Sequence, residues 1–114
     1  MITQDQLKDI NDRADALYKY LDIERKKIEY EEEDLRTQAP DFWEDRQRAE
    51  EQMKKVKGLQ AWIDGYKEVK NRTEEAEMAM ELYREEMVEE HEVDDAYARA
   101  LTAVEELELK NMLR

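Results

Sequence analysis

The sequence predicts an all-α fold, an antiparallel bundle of three to four long helices with coiled-coil-like packing. Of the 114 residues, 45% are charged, and there are only two glycines and one proline. Most of the charged residues are Glu, Lys and Arg, which cost little free energy in a helix. Apolar residues make up 40% of the chain and recur at helical spacing, which argues against disorder. We therefore expect one hydrophobic core and a single helical domain over residues 1–114.

The first predicted helix covers about residues 4–36. Thr3 and Gln6 have the spacing of a capping box, in which each side chain satisfies a backbone N–H group of the other residue. An apolar residue then recurs every seventh position, which predicts one continuous seam against partner helices. The seam positions are Leu7, Ala14, Leu21, Ile28 and Leu35. Pro40 disfavours helical geometry at Ala39, so this helix should end before that turn.

Three further helices are predicted at about residues 42–70, 73–90 and 94–112, from apolar residues spaced by three and four. Asp41 is the expected cap of the second helix, and a cluster at residues 71–73 favours a break before the third. A continuous helix through this cluster is the alternative. The connection to the last helix is predicted at residues 91–95, with Asp94 as its cap. Gly58 and Gly65 indicate either a close approach of two backbones or two tolerated exposed glycines.

The excess of acidic over basic residues limits the classes of partner that the chain is expected to bind. Against 32 acidic residues stand 19 basic ones, a formal net charge of −13, which repels phosphate backbones. Direct nucleic-acid binding by this domain alone is not expected, and a basic protein partner fits better. The sequence has no cysteine, so disulfides and thiolate metal sites are excluded. With no apolar run of about 18 residues and no signal peptide, we expect no membrane partner and a cytoplasmic location.

No pattern of residues predicts catalysis, so we expect no enzyme, no cofactor and no metal site. Glu31 to Asp34 are consecutive helical residues that cannot share one face, and a solvated acidic face is the expectation. His91 is the only histidine and lacks the Glu-x-x-His spacing of di-iron bundles. It is expected to lie exposed in a connection. The absence of serine, and of any glycine-rich phosphate loop, excludes serine nucleophiles and phosphate loops.

The candidate partner contacts are two aromatic and three basic residues. Phe42 and Trp43 follow Pro40 directly, and two adjacent aromatic side chains are costly to expose. They are interpreted as a hydrophobic plug that closes the bundle tip, with a partner-binding anchor as the alternative. A basic cluster comprises Lys54, Lys55 and Lys57, and a second one comprises Lys67, Lys70 and Arg72. Both clusters are interleaved with acids, so a solvated face is expected rather than phosphate contact.

Several segments together resemble a known family. They comprise Tyr20, Leu21 and Asp22, then Lys26 and Lys27, then Ala39, Pro40, Asp41, Phe42, Trp43, Glu44, Asp45, Arg48 and Ala49. In order and spacing these residues are similar to the opening of bacterial class I peptide chain release factor 2. Residues 107–113 resemble the stretch that leaves this domain towards the decoding domain, and the likeness is weakest over residues 74–95. The resemblance implies an N-terminal fragment of a larger multidomain factor.

The resemblance also implies a role. The family acts in translation termination at UAA and UGA codons, through a Ser-Pro-Phe codon-reading tripeptide and a Gly-Gly-Gln hydrolytic tripeptide. Neither tripeptide occurs in this sequence, so no codon-reading or catalytic residue can be carried over. The first domain of the family reaches the stalk-base region of the large ribosomal subunit, near the GTPase release factor. A positioning role against a basic ribosomal protein is therefore expected.

Two other classes of function remain open from the residues. Heptad-spaced stripes also serve dimers, so the chain could be a self-associating coiled-coil adaptor unrelated to translation. A carboxylate metalloprotein would require a stoichiometric ion, for which the sequence offers no pair of histidines. Sedimentation would show whether the chain is a self-associating adaptor, and metal analysis would show whether it is a metalloprotein.

Overall fold

The computed structural model describes residues 1–114 and confirms the all-α prediction, with no strands. Its helices are α1 (Gln4–Tyr20), α2 (Ile23–Arg36), α3 (Arg46–Arg84) and α4 (Glu90–Leu113), with a short 3-10 turn at Phe42–Glu44. The chain divides into two compact units. Unit 1 is Met1–Leu21 with Gly65–Arg114, and unit 2 is Asp22–Asp64. Helix α3 contributes its first part to unit 2 and its second part to unit 1.

Unit 1 has a core of aliphatic side chains from α1, the second part of α3, and α4. The most deeply buried large side chains of this unit are Leu7, Ile10, Leu21, Val69, Val93 and Val104. Burying a side chain of this size stabilises the fold by about 1.5–3 kcal/mol. At the edge of the core, the Arg13 guanidinium donates two hydrogen bonds to Glu108, of 2.6 and 3.0 Å. The hydrogen bonding to Glu108 raises the pKa of Arg13 and joins α1 to α4.

Unit 2 is built from α2, the 3-10 turn and the first part of α3. Ile23, Ala49 and Val56 are buried between its helices, together with the carboxylate of Glu33. The Gln52 side chain on α3 donates hydrogen bonds to both the backbone oxygen and the carboxylate of Glu33, at 2.8 and 2.7 Å. Unit 2 therefore combines a small apolar core with one buried polar link.

The predicted first helix over residues 4–36 is wrong in one respect, because it is broken into α1 and α2. Asp22 adopts a left-handed conformation with φ 49°, which Asp tolerates better than most residues. The break rotates α2 out of the predicted heptad register. Consequently Ile28 and Leu35 are 56% and 67% exposed, although the seven-residue repeat predicted them to be buried. The Thr3–Gln6 capping box at the start of α1 is confirmed.

The predicted break at residues 71–73 is wrong, and the continuous alternative is correct, because α3 runs unbroken from Arg46 to Arg84. Thr73 is buried and its hydroxyl donates to the backbone oxygen of Lys70 at 3.1 Å. A threonine that bonds to the preceding turn in this way can lie inside a helix instead of capping one. The predicted boundary between a second and a third helix therefore does not exist.

Two predicted caps are also wrong. Helix α3 begins after Asp45 rather than Asp41, because residues 42–44 form the 3-10 turn, and Asp45 accepts the backbone N–H of Arg48 at 3.2 Å. Helix α4 begins at Glu90 rather than residue 94, capped by Glu89. Asp94 instead accepts the backbone N–H of Ile2 at 2.8 Å. No helix contains a stretch that is long and apolar enough to cross a membrane.

Candidate partner-docking site

The turn between α2 and α3 is tied down by backbone hydrogen bonds. The N–H groups of Thr37, Gln38 and Ala39 donate to carbonyls in the last turn of α2, at 3.0 to 3.4 Å. Phe42 donates to the carbonyl of Ala39 at 3.0 Å, which spans Pro40. These hydrogen bonds restrict the backbone of the turn, so that less backbone entropy is lost when a partner binds there.

The turn presents Trp43 to solvent. Phe42 and Trp43 form an edge-to-face pair with ring centroids 5.2 Å apart and an interplanar angle of 84°. Phe42 is half-buried, but Trp43 is 61% exposed. The predicted hydrophobic plug is therefore wrong for Trp43. Exposed tryptophan on a rigid support is typical of protein-binding anchors, because it offers a large contact area with few rotatable bonds.

Beside the aromatic pair lies an open cavity of about 430 Å³. Its lining includes Phe42, Ala49, Gln52, Arg36, Arg48, Asp41 and Asp45. Charges of both signs surround a small apolar floor, so the cavity offers no single charged ligand a matched surface.

The three predicted lysine contacts differ in availability. Lys55 pairs with Glu33 at 3.3 Å and with Glu29 at 4.0 Å, so its ammonium is engaged within unit 2. Lys54 and Lys57 are exposed. All three lysines are exposed to solvent, and Lys55 differs from the other two in having acidic partners within unit 2. Whether any of these lysines contacts a partner stays a prediction.

Glu33 is a site residue that the sequence reasoning missed, because it was assigned to a solvated acidic face. It is only 6% exposed. The hydrogen bond from Gln52, with Lys55 and Arg36 nearby, holds the pKa of the Glu33 carboxyl below its ordinary value. The Arg36 guanidinium lies 3.5 Å from this carboxylate. Glu33 therefore fixes α2 against α3 directly before the turn that carries Trp43.

A signal for the buried position of Glu33 does exist in the sequence. The less exposed residues of α2 include Ile23, Lys26, Tyr30 and Glu33, which are spaced by three and four and lie on a different face of the helix from Ile28 and Leu35. Lys26 places its ammonium 5.9 Å from the ring centroid of Trp62, a cation–π contact that explains a basic residue on the inner stripe. The seven-residue repeat assigned the buried face to Ile28 and Leu35 instead, because these two residues are more apolar than Lys26 and Glu33.

The remaining candidates for chemistry do not come together. No group of three or more His, Asp or Glu side chains is arranged to hold a metal ion. His91 is exposed as predicted, but it lies in the first turn of α4 rather than in a connection, with its Nδ1 3.3 Å from Glu89. In the second basic cluster, Arg72 pairs with Glu68 and Glu75 at 2.7 and 3.1 Å. The positive charge of Arg72 is therefore balanced by two carboxylates of the same helix.

Two comparisons with known proteins identify the family of the chain. The family model of the PCRF domain matches residues 26–114. The chain is also similar to peptide chain release factor 2 from Exiguobacterium sp. (strain ATCC BAA-1283 / AT1b), with 28% identity over 88 residues. That match covers 71% of this chain and 24% of the relative, so the chain spans about a quarter of the relative's length. Because the family model covers more than half of its residues, the chain belongs to the PCRF domain family.

Proposed function

We propose that this chain is the N-terminal helical domain of a peptide chain release factor 2 and acts in translation termination. Membership of the PCRF domain family and the similarity to a release factor 2 support this role. Recognition of UAA and UGA codons and hydrolysis would belong to other parts of the factor, because neither tripeptide motif expected for these steps occurs here. The domain would be non-enzymatic and would orient the factor on the ribosome in the cytoplasm.

The observation that carries the positioning role is the exposed Trp43 on its hydrogen-bonded turn. This residue lies within residues 40–49, the segment whose resemblance to release factor 2 is strongest. A tryptophan left in water costs free energy that a docked partner recovers by covering it. We propose the stalk-base region of the large subunit, through a basic ribosomal protein, as the surface that Trp43 meets. The GTPase release factor is a further proposed partner.

Co-sedimentation with ribosomes tests this role. Trp43→Ala should weaken ribosome association by about tenfold or more, because truncating an interface anchor commonly costs at least about 2 kcal/mol. Its effect on stability should stay within about 0.5 kcal/mol, since the side chain is mostly exposed. Tyr20→Ala is the matched control, because Tyr20 is an exposed aromatic residue outside the turn. Equal binding by all three proteins would contradict the role of Trp43.

A self-associating adaptor is the second candidate, and one observation favours it. Ile28 and Leu35 lie seven residues apart on α2 and are both exposed, so they could form a seam with another copy. The net charge of −13 opposes such pairing. Sedimentation equilibrium separates the candidates: a monomer supports the positioning domain, and an obligate elongated dimer supports the adaptor.

A further inference from the structure

A long groove runs between α3 and α4 in unit 1. It consists of two adjoining cavities, of about 590 and 320 Å³, that share Arg99 in their linings. On α3 the lining extends from Glu68 to Leu82, which corresponds to about 21 Å at 1.5 Å per residue. This length matches about four turns of a helix. We refer to it as the α3–α4 groove.

The wider half of the α3–α4 groove has an apolar floor. Ala79, Leu82 and Val88 are half-buried there, and Ala96 is buried beneath them. Met78 is 60% exposed at the edge of this floor. Methionine is common on surfaces that bind helices, because its flexible thioether adapts to different partners. The floor therefore offers apolar contact to a partner without any rearrangement of the fold.

The rim of the groove is acidic. Five glutamates line it, Glu68, Glu74, Glu75, Glu92 and Glu106, against the two arginines Arg72 and Arg99. The Arg72 guanidinium is already held by Glu68 and Glu75. The rim thus carries an excess of negative charge on both sides of the apolar floor. A matching ligand needs an apolar stripe flanked by cations.

From the groove's length, apolar floor and acidic rim, we propose that the α3–α4 groove binds a basic amphipathic helix of a partner protein. Seating an amphipathic helix between two helices is an established mode of peptide recognition, and opposite charges along the rim would fix its orientation. A second copy of this chain is disfavoured as the occupant, because each copy carries a net charge of −13. The inference deepens the proposed function and rests on it only for the partner's place in translation.

The test uses the full 114-residue chain and a synthetic peptide as the probe. The peptide is a helix of about 18 residues with leucines at steps of three and four and lysines on its other faces. We expect saturable binding, with the amide resonances of Ala79, Ala96 and Arg99 among those that shift most in NMR spectra. The same peptide with glutamates in place of its lysines should not bind measurably.

A pair of variants separates the groove from general charge attraction. Met78→Lys and Met112→Lys add the same charge at exposed positions of unit 1, and Met112, 78% exposed, is not part of the groove lining. Met78→Lys should raise the peptide Kd by about tenfold or more, and Met112→Lys by less than about threefold. Circular dichroism should show unchanged helix content in both variants.

Three results would overturn the inference: equal effects of the two variants, shifts spread over the whole acidic surface, or dimerisation of the chain that Met78→Lys abolishes. The last result would make a second copy the occupant. Ribosome co-sedimentation separates the two proposals. Ribosome association without peptide binding would overturn the groove alone, and peptide binding without ribosome association would overturn the proposed function alone.

Discussion

At the scale of single residues, Glu33 shows how a charged side chain can be held out of water. Its carboxylate receives a hydrogen bond from Gln52 and lies near the cations of Lys55 and Arg36. A buried charge without such partners would be strongly destabilising. The same contacts explain why the pKa of Glu33 is lowered.

The lowered pKa of Glu33 predicts a pH-dependent effect of Glu33→Gln. A carboxylate with a folded-state pKa below its ordinary value of 4.5 stabilises the folded state fully above that pH. This contribution is lost as the pH falls through the lowered folded-state pKa. Glu33→Gln should therefore be less stable than the unmodified chain at neutral pH, and the difference should shrink below about pH 4.5.

Urea denaturation at a series of pH values measures this difference. Glu32→Gln removes the same charge from the exposed neighbouring position, so its difference from the unmodified chain should change little over the same range. A Glu33→Gln difference that is constant with pH would show that the carboxylate charge is not what Gln52 and Lys55 stabilise.

At the scale of helices, the two glycines of α3 differ in role. Their spacing was compatible either with a close approach of two backbones or with two tolerated exposed glycines. A Cβ added at Gly65 would lie 3.1 Å from Cδ1 of the buried Leu107, whereas nothing lies within 4 Å of the same position at Gly58. Gly65 therefore marks a close approach to α4, and Gly58 is a tolerated exposed glycine. The two positions share a helix but differ in the space around them.

This difference predicts that the same substitution changes the free energy of unfolding by different amounts at the two positions. Gly58→Ala should stabilise the chain by about 0.5–1 kcal/mol, because alanine loses less conformational entropy in a helix. Gly65→Ala should gain clearly less or become destabilising, since Leu107 must move by a few tenths of an ångström. Thermal and urea unfolding of both variants measure these values, and equal gains would contradict the proposed close contact.

The end of α3 carries a Schellman motif without its usual glycine. Glu86 has φ 61°, its N–H donates to the carbonyl of Tyr83, and the N–H of Met87 donates to that of Leu82, both at 2.9 Å. This pattern normally places glycine where Glu86 stands. A side chain in left-handed geometry costs about 1 kcal/mol.

Glu86→Gly should therefore raise the free energy of unfolding by about 1 kcal/mol. Glu85→Gly is the control, because it removes the same charge one residue earlier, where φ is not positive, and should bring no gain. The result that argues against the left-handed geometry of Glu86 is a loss of stability in Glu86→Gly as large as in Glu85→Gly.

The helices also show which features the sequence could predict. The all-α class and the Thr3–Gln6 capping box follow from local patterns and are confirmed. The break at Asp22 could not be predicted, because it has neither glycine nor proline and depends on burying Leu21 and Ile23 on either side of it. Tertiary packing, rather than local sequence, decides which of two sets of apolar residues on a helix is buried.

The candidate site was predicted only in part. Two adjacent aromatics after Pro40 identify the turn, but their exposure depends on how much of the turn the rest of unit 2 covers. Local spacing cannot supply that information, and Trp43 is accordingly exposed where burial was predicted. The hydrogen bond between Glu33 and Gln52 joins residues 19 apart in sequence on two different helices, so it too requires the folded structure.

At the scale of the whole molecule, the chain combines a strongly acidic surface with few groups suited to chemistry. Its net charge of −13 favours basic protein partners and would make their association sensitive to salt. Trp43 belongs to unit 2 and the α3–α4 groove belongs to unit 1, and the two sites differ in chemistry. In the proposed role, this domain binds partners, and codon reading and peptide release belong to other parts of the factor.

The most direct test measures peptide release from ribosomes programmed with a UAA or UGA codon. The proposed positioning role predicts that the chain alone releases no peptide, because the Ser-Pro-Phe and Gly-Gly-Gln tripeptides are absent from its sequence. Added in excess to an intact release factor 2, the chain should slow release in a saturable way, since both compete for the same docking surface. Stop-codon-dependent release of peptide by the chain alone would contradict the account.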